Sequence, residues 1–229
     1  MIYIVDFGGQ YSHLIYRHVY EITKEVDLIS SDDFCVFRND NVNVDGIILS
    51  GSPNHITESK WAYLDDKIAE FTCPILGICF GYQAIGHYLG AEIIHTDMLS
   101  EYGKCPIIIN TDDCDLFYGI PTYYITAWMS HGDSVNWTAE FNDIDMVIST
   151  VKESKEICGI QYQNLYGVQF HPEVTHTEYG VTIIRNFIER ICHQKEKEKD
   201  EGGFTMTIFD NIGPIKDDEE ILLAASGGI

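Results

Sequence analysis

Basic residues are scarce in this chain. Fourteen Lys and Arg face 36 Asp and Glu over 229 residues, a formal charge of −22. A nucleic-acid surface needs clustered Lys and Arg to neutralise phosphates, so no nucleic-acid partner is expected. The tail does not account for the acidity: residues 194–229 contribute −5 and leave −17 on residues 1–193. No C-x-x-C pair occurs among the seven scattered cysteines (35, 73, 79, 105, 114, 158 and 192). That odd number without pairing excludes a disulfide framework and a cysteine zinc site; no metal is expected, and a reducing, cytoplasmic setting is. No apolar run approaches a membrane span, and no membrane partner is expected. The opening Met1–Asp6 lacks a basic stretch and reads as a first strand, not as a signal peptide.

Present instead is an alternation of short apolar runs with helix-like stretches. Ile2–Val5, Asp27–Ile29, Gly46–Leu49 and Ile75–Ile78 read as strands. Gln10–Glu21 and Trp61–Phe71 carry apolar residues at helical spacing, as does the stretch Tyr82–Leu89. This rhythm predicts an α/β fold with a mainly parallel open sheet covered by helices. After Gly90 shorter strands follow at Cys105–Ile109, Tyr123–Met129, Met146–Thr150, Ile157–Gln161 and Tyr166–Phe170. They predict a mixed or antiparallel extension of the sheet. Tyr179–Cys192 reads as a closing helix. Residues 1–193 thus form the body, residues 194–203 (QKEKEKDEGG) a charged linker, and residues 204–229 a further segment with a strand at Glu220–Ala225.

One turn stands out for its chemistry. Gly77-Ile78-Cys79-Phe80-Gly81 follows an apolar strand and leads into a helix. A nucleophile presented on a strained strand-to-helix turn needs this context, with glycines where side chains would clash. The helix N-terminus also places partial positive charge behind the sulfur. A lone cysteine is more often a small core residue, but a candidate base shifts that balance. His171-Pro172-Glu173 ends the run Gly167-Val168-Gln169-Phe170, where strand ends carry functional groups in α/β folds. In an extended chain His171 and Glu173 point to the same side, so Glu173 can orient the imidazole. The backbone N–H of Phe80 is one candidate oxyanion donor, and the small-residue turn Ser50-Gly51-Ser52-Pro53 can supply another.

With these residues in view, the chain resembles the class I (triad) glutamine amidotransferases, of flavodoxin-like fold. More narrowly it is similar to the glutaminase domains of the GMP synthase family. The resemblance runs from Ile4 to about Cys192. It is carried by Asp6–Tyr11, Ile47–Pro53, Gly77–Gln83, Trp128–Asp133 and Gly167–Thr177. The M-S-H-G-D run and the V-T-H-T after H-P-E point to the GMP-forming type. The resemblance implies that Cys79 attacks the side-chain amide of L-glutamine, that His171 moves protons, and that Glu173 orients His171. It implies an oxyanion hole from the backbone at Ser52 and Phe80. Substrate contacts are implied for Gly51, Gln83 and the loop Ser130, His131, Gly132 and Asp133. Ser52 stands where the family usually has a second glycine. The ending Ser226-Gly227-Gly228 resembles the start of the phosphate loop of an ATP pyrophosphatase domain. No cofactor is then expected for these residues, since ATP and Mg belong to the synthetase half, which is the implied partner in cis or in trans. Two other readings stay open: a module that only docks to a synthetase, and a glutaminase serving another synthase such as anthranilate synthase.

Overall fold

The computed structural model describes residues 1–38, 43–95, 100–109, 114–137, 145–150 (backbone only) and 157–193. The predicted linker, the strand at Glu220–Ala225 and Ser226–Gly228 lie outside the described residues. The first half alternates as its apolar runs require. It contains β1 (Ile2–Asp6), α1 (Ser12–Thr23), β2 (Val26–Ser30), α2 (Ser31–Val36), β3 (Gly46–Leu49), a 3-10 turn at Ser59–Trp61, α3 (Tyr63–Glu70), β4 (Ile75–Ile78) and α4 (Phe80–Tyr88). β3 and β4 are buried at every residue, as expected of strands covered on both faces, whereas the edge strand β2 is largely open.

The second half is β-rich: β5 (Glu92–His95), β6 (Glu101–Ile109), β7 (Tyr124–His131), β8 (Asp133–Asn136), β9 (Asp145–Thr150), β10 (Ile157–Tyr162) and β11 (Leu165–Val168). β7 alternates buried and more open residues, the signature of a strand with one covered face. α5 (Gly180–Asn186) closes the fold and passes into a π-helical turn, Phe187–Ile191.

Among the described residues one nine-stranded sheet runs β2-β1-β3-β4-β11-β10-β9-β6-β7, and β5 pairs with β8 in a separate ribbon. The pairings from β2 to β11 are parallel. Those from β11 to β7 are antiparallel. The parallel half and its antiparallel extension match the α/β expectation. Two cores cover the sheet. Ile15 and Val19 of α1 share one with Ile183 and Ile184 of α5 and with Phe187. Trp61, Leu64, Ile68 and Phe80 form the other with Phe7 and Leu49. Phe187 is fully buried, and its truncation to Ala would cost about 3–5 kcal/mol.

The structure corrects several boundaries. The expected strand Tyr166–Phe170 ends at Val168: Gln169 N–H still donates to Cys158 O of β10 (2.8 Å), but His171 N–H donates to Trp128 O of β7 (2.9 Å). The chain therefore leaves β4 and crosses toward β7 before reaching His171. The closing helix is α-helical only to Asn186, whose side-chain amide donates to the carbonyls of Leu116 and Tyr118. α2, β5 and β8 have no counterpart among the predicted elements. The ends of β1, β3, β4 and β11 lie on one edge of the parallel half, where such folds place their ligands.

Candidate active site

Cys79 follows β4 with φ 55° and ψ −104°, a left-handed backbone rarely adopted by non-glycine residues. The turn is tied at both ends. Cys79 N–H donates to Val168 O at 2.8 Å, and Gly81 N–H to Ser50 O at 3.2 Å. The flanking glycines are required by contact. A Cβ on Gly77 would lie 2.4 Å from the Gly81 carbonyl, and one on Gly81 only 2.2 Å from Leu49 O. The turn thus packs backbone against backbone, which leaves the thiol as the group it presents. Phe80 opens α4, so its N–H has no carbonyl one turn earlier in the helix. Its ring is buried between Phe7 and Trp61.

His171 meets this turn from the segment after β11, the strand that pairs directly with β4. Its Nδ1–H donates to Glu173 Oε1 at 2.7 Å, which fixes the tautomer and leaves Nε2 for the thiol. The reach comes from a turn at residues 172–173, not from the extended chain expected from the sequence. Cys79, His171 and Glu173 are all at most 4% exposed. Burial pushes the His171 pKa down, but the charge and hydrogen bond of Cys79 and the hydrogen bond and charge of Glu173 outweigh it. The ring is held well above the usual imidazole range. Glu173 Oε2 is buried with no hydrogen-bond partner among the described residues, so the carboxylate's one side-chain bond goes to His171.

A cavity of about 540 Å³ opens above the thiol. Gly51, Ser52, Cys79, Gln83, Ser130, His131, Gly132, Asp133 and His171 all line it, so these predicted site residues are brought together. Glu173 and Phe80 do not line it: the first stands behind His171, and only the backbone of the second was expected to act. Gly51 passes close to both Cys79 and His171, since a Cβ there would lie 3.1 Å from His171 Cε1 and 3.7 Å from Cys79 Cβ. The Ser52 hydroxyl is engaged away from them. It donates to Phe7 O (2.9 Å) and accepts from Asn54 N–H and Asn54 Nδ2. Ser130 O accepts from the Cys79 thiol at 3.6 Å.

Two predicted contact residues also have an internal task. Gln83 Nε2 donates to Asp133 O at 3.0 Å, and His131 Nδ1–H donates to the same carbonyl at 2.9 Å. They hold the backbone of Asp133, whose buried carboxylate accepts from His55 and His95. The sequence reading also missed several supports of the triad. Thr177 Oγ1 donates to His171 O (2.6 Å) and accepts from Trp128 N–H (3.0 Å). Tyr11 sets its ring edge-on to His171 at 4.9 Å. His18 Nε2–H donates to Glu173 O (3.1 Å), and Gln169 Nε2 to the Cys79 sulfur (3.8 Å). The only signal for Tyr11, Trp128, Gln169 and Thr177 was membership of the quoted motifs; that for His18 was its place beside Leu14, Ile15 and Val19 on the apolar face of the first helix.

The sequence matches the family described as glutamine amidotransferase class-I over residues 3–191. It is 38% identical over 229 residues to a glutamine-hydrolysing GMP synthase of Prochlorococcus marinus (strain MIT 9215), covering 100% of this chain and 42% of that protein. The corresponding protein of Caldicellulosiruptor saccharolyticus is 37% identical, with 43% of its length covered. The chain thus spans less than half the length of these relatives. Among solved structures, a GMP synthase component from Thermoplasma acidophilum aligns with a TM-score of 0.72 and 32% identity, over 84% of this chain and 93% of that one. A glutamine amidotransferase of Thermotoga maritima shares the fold at a TM-score of 0.62 and 19% identity, over 83% of this chain and 97% of that one.

Proposed function

The chain belongs to the class-I glutamine amidotransferase family, and on that premise we propose that it hydrolyses L-glutamine to glutamate and ammonia. We further propose that the ammonia serves an ATP-dependent synthetase half that aminates XMP to GMP, supplied in cis or in trans. The observation that carries the first step is the Cys79–His171–Glu173 arrangement, in which Cys79 and His171 line the cavity and Glu173 stands behind the imidazole.

The geometry supports the following course. The Cys79 sulfur attacks the side-chain amide carbon of glutamine while its proton resides on His171 Nε2. Charge builds on the amide oxygen, and the N–H groups of Phe80 and Ser52 are the donors available to it. His171 returns the proton to the amide nitrogen, the C–N bond breaks, and ammonia leaves a γ-glutamyl thioester. Water then attacks the thioester and gives its proton to His171, and the sulfur departs as glutamate forms. Glu173 stabilises each imidazolium stage through the Nδ1 bond. Asp133 places a buried negative charge in the cavity wall, opposite in sign to the substrate's α-ammonium. The preference for a GMP-forming partner rests on the kinship to GMP synthases.

An electrophilic glutamine analogue tests this reading. Incubation should add one mass increment, mapped to Cys79 and blocked by excess glutamine. Labelling elsewhere, or labelling that glutamine does not protect, would refute it.

A further inference from the structure

A second constellation lies in the wall of the same cavity. His55 follows β3, His95 ends β5, and Asp133 opens β8. His95 and Asp133 are cross-strand partners in the β5–β8 ribbon. The two imidazoles share one carboxylate: His55 Nδ1 lies 2.8 Å from Asp133 Oδ2, and His95 Nδ1 2.6 Å from Asp133 Oδ1. Their rings meet edge-on with centroids 4.4 Å apart.

We propose that His55, His95 and Asp133 form a three-ligand site for a divalent transition metal of the zinc class. We propose further that its occupancy opposes glutamine binding; this second part rests on the glutaminase reading above. The ligand atoms all lie within 4.8 Å of one another. Around a tetrahedral ion with bonds of about 2.0–2.1 Å, neighbouring ligands stand roughly 3.3 Å apart, so side-chain shifts of about 1 Å convert the hydrogen-bonded cluster into a coordinated one. Two imidazole nitrogens and one carboxylate oxygen suit zinc, and three protein ligands leave a position open. That position adjoins the cavity all three residues line.

The support around the ligands is already built. Gln83 Nε2 and His131 Nδ1 hold the carbonyl of Asp133, and His55 N–H donates to Glu58 Oε1 at 2.9 Å. The Asp133 side chain is only 5% exposed, whereas those of His55 and His95 are 47% and 63% exposed, so an ion can enter from solvent and meet a buried charge. A divalent ion there turns a local charge of −1 into +1, where the reading above places a group complementary to the substrate's ammonium. Bound metal therefore acts on KM and leaves the triad chemistry intact.

Two measurements on the full chain separate the parts. Titration of the Cys79→Ala protein with Co²⁺ removes the catalytic thiol as a competing ligand. A saturable one-to-one visible absorption without a sulfur-to-cobalt charge-transfer band is expected. It should be lost in His55→Gln/His95→Gln, whose amides keep a donor toward Asp133 and whose positions are exposed, with circular dichroism confirming the fold. Absence of saturable binding, or a band that survives both replacements, overturns the site. Separately, Zn²⁺ should raise the apparent KM for glutamine by roughly tenfold in the wild type. EDTA should reverse the effect, and the double variant should lack it. A fall in kcat alone, or inhibition that persists in the double variant, contradicts the competitive effect and indicates zinc on a thiol. Failure of glutamine hydrolysis in metal-free buffer would count against the glutaminase reading and leave the cobalt result to decide the site.

Discussion

Thr177 donates its hydroxyl hydrogen to the carbonyl oxygen of His171 at 2.6 Å, across a loop that brings the V-T-H-T run back under the H-P-E turn. The same hydroxyl accepts from Trp128 N–H, and the Trp128 carbonyl in turn accepts from His171 N–H. One buried hydroxyl thus ties the histidine to β7. Thr177→Val keeps the volume and removes both bonds. It should cost about 1–3 kcal/mol of stability, read by urea unfolding, because buried backbone groups lose a partner. It should also lower kcat with little change in KM, since His171 is the group proposed above to carry the proton. A stable variant with an unchanged kcat would show that the tie does not position His171.

Added bulk at the elbow gives a sharper effect. In Gly81→Ala the new methyl would meet the Leu49 carbonyl at 2.2 Å, and backbone cannot move aside as a flexible side chain can. Destabilisation on the order of 3 kcal/mol is expected, measured as a lowered urea midpoint. A midpoint within experimental error of the wild type would mean that β3 and α4 are not packed as described.

The proton affinity of His171 provides a test by titration. Cys79 and Glu173 both raise it, and burial lowers it. Removal of either partner must therefore move the ring's titration to lower pH. Histidine-labelled NMR on Cys79→Ala and on Glu173→Gln should show that direction in each. An upward shift, or none, would contradict the coupling.

Much of this site was legible because its chemistry sits in local strings. β3 and β4 fall where their apolar runs begin and end, and the elbow glycines announce the backbone contacts they permit. Cys79 was singled out by its glycine-flanked turn, and His171 and Glu173 by the H-P-E string and the family resemblance, although β11 ends at Val168, before His171. What was not legible depends on long-range pairing. His55 and His95 are lone histidines in sequence, and they meet at Asp133 only because β5 pairs with β8 and the loop after β3 folds over them. The π-turn after α5 was likewise hidden, since the apolar stripe of Ile183, Ile184, Phe187, Ile188 and Ile191 fits a continuous α-helix. The H-P-E turn replaced an extended segment because the backbone N–H of His171 bonds to Trp128 of β7 instead of continuing the pairing of β11.

Ser52 departs from the glycine expected by resemblance, and its hydroxyl bridges Phe7 O and Asn54. Rotation of the Ser52 peptide toward an oxyanion has to break that bridge. Ser52→Ala should therefore lose about 1 kcal/mol of stability and gain in kcat for glutamine hydrolysis. A lower kcat would assign the hydroxyl a supporting role in the oxyanion hole.

Glutamate release from L-glutamine, measured with and without a synthetase partner supplied with XMP and ATP–Mg, tests the central claim most directly. The account predicts release by the wild-type chain, accelerated by the charged partner, and its loss in Cys79→Ala under both conditions. Undiminished glutamate release by Cys79→Ala would contradict it.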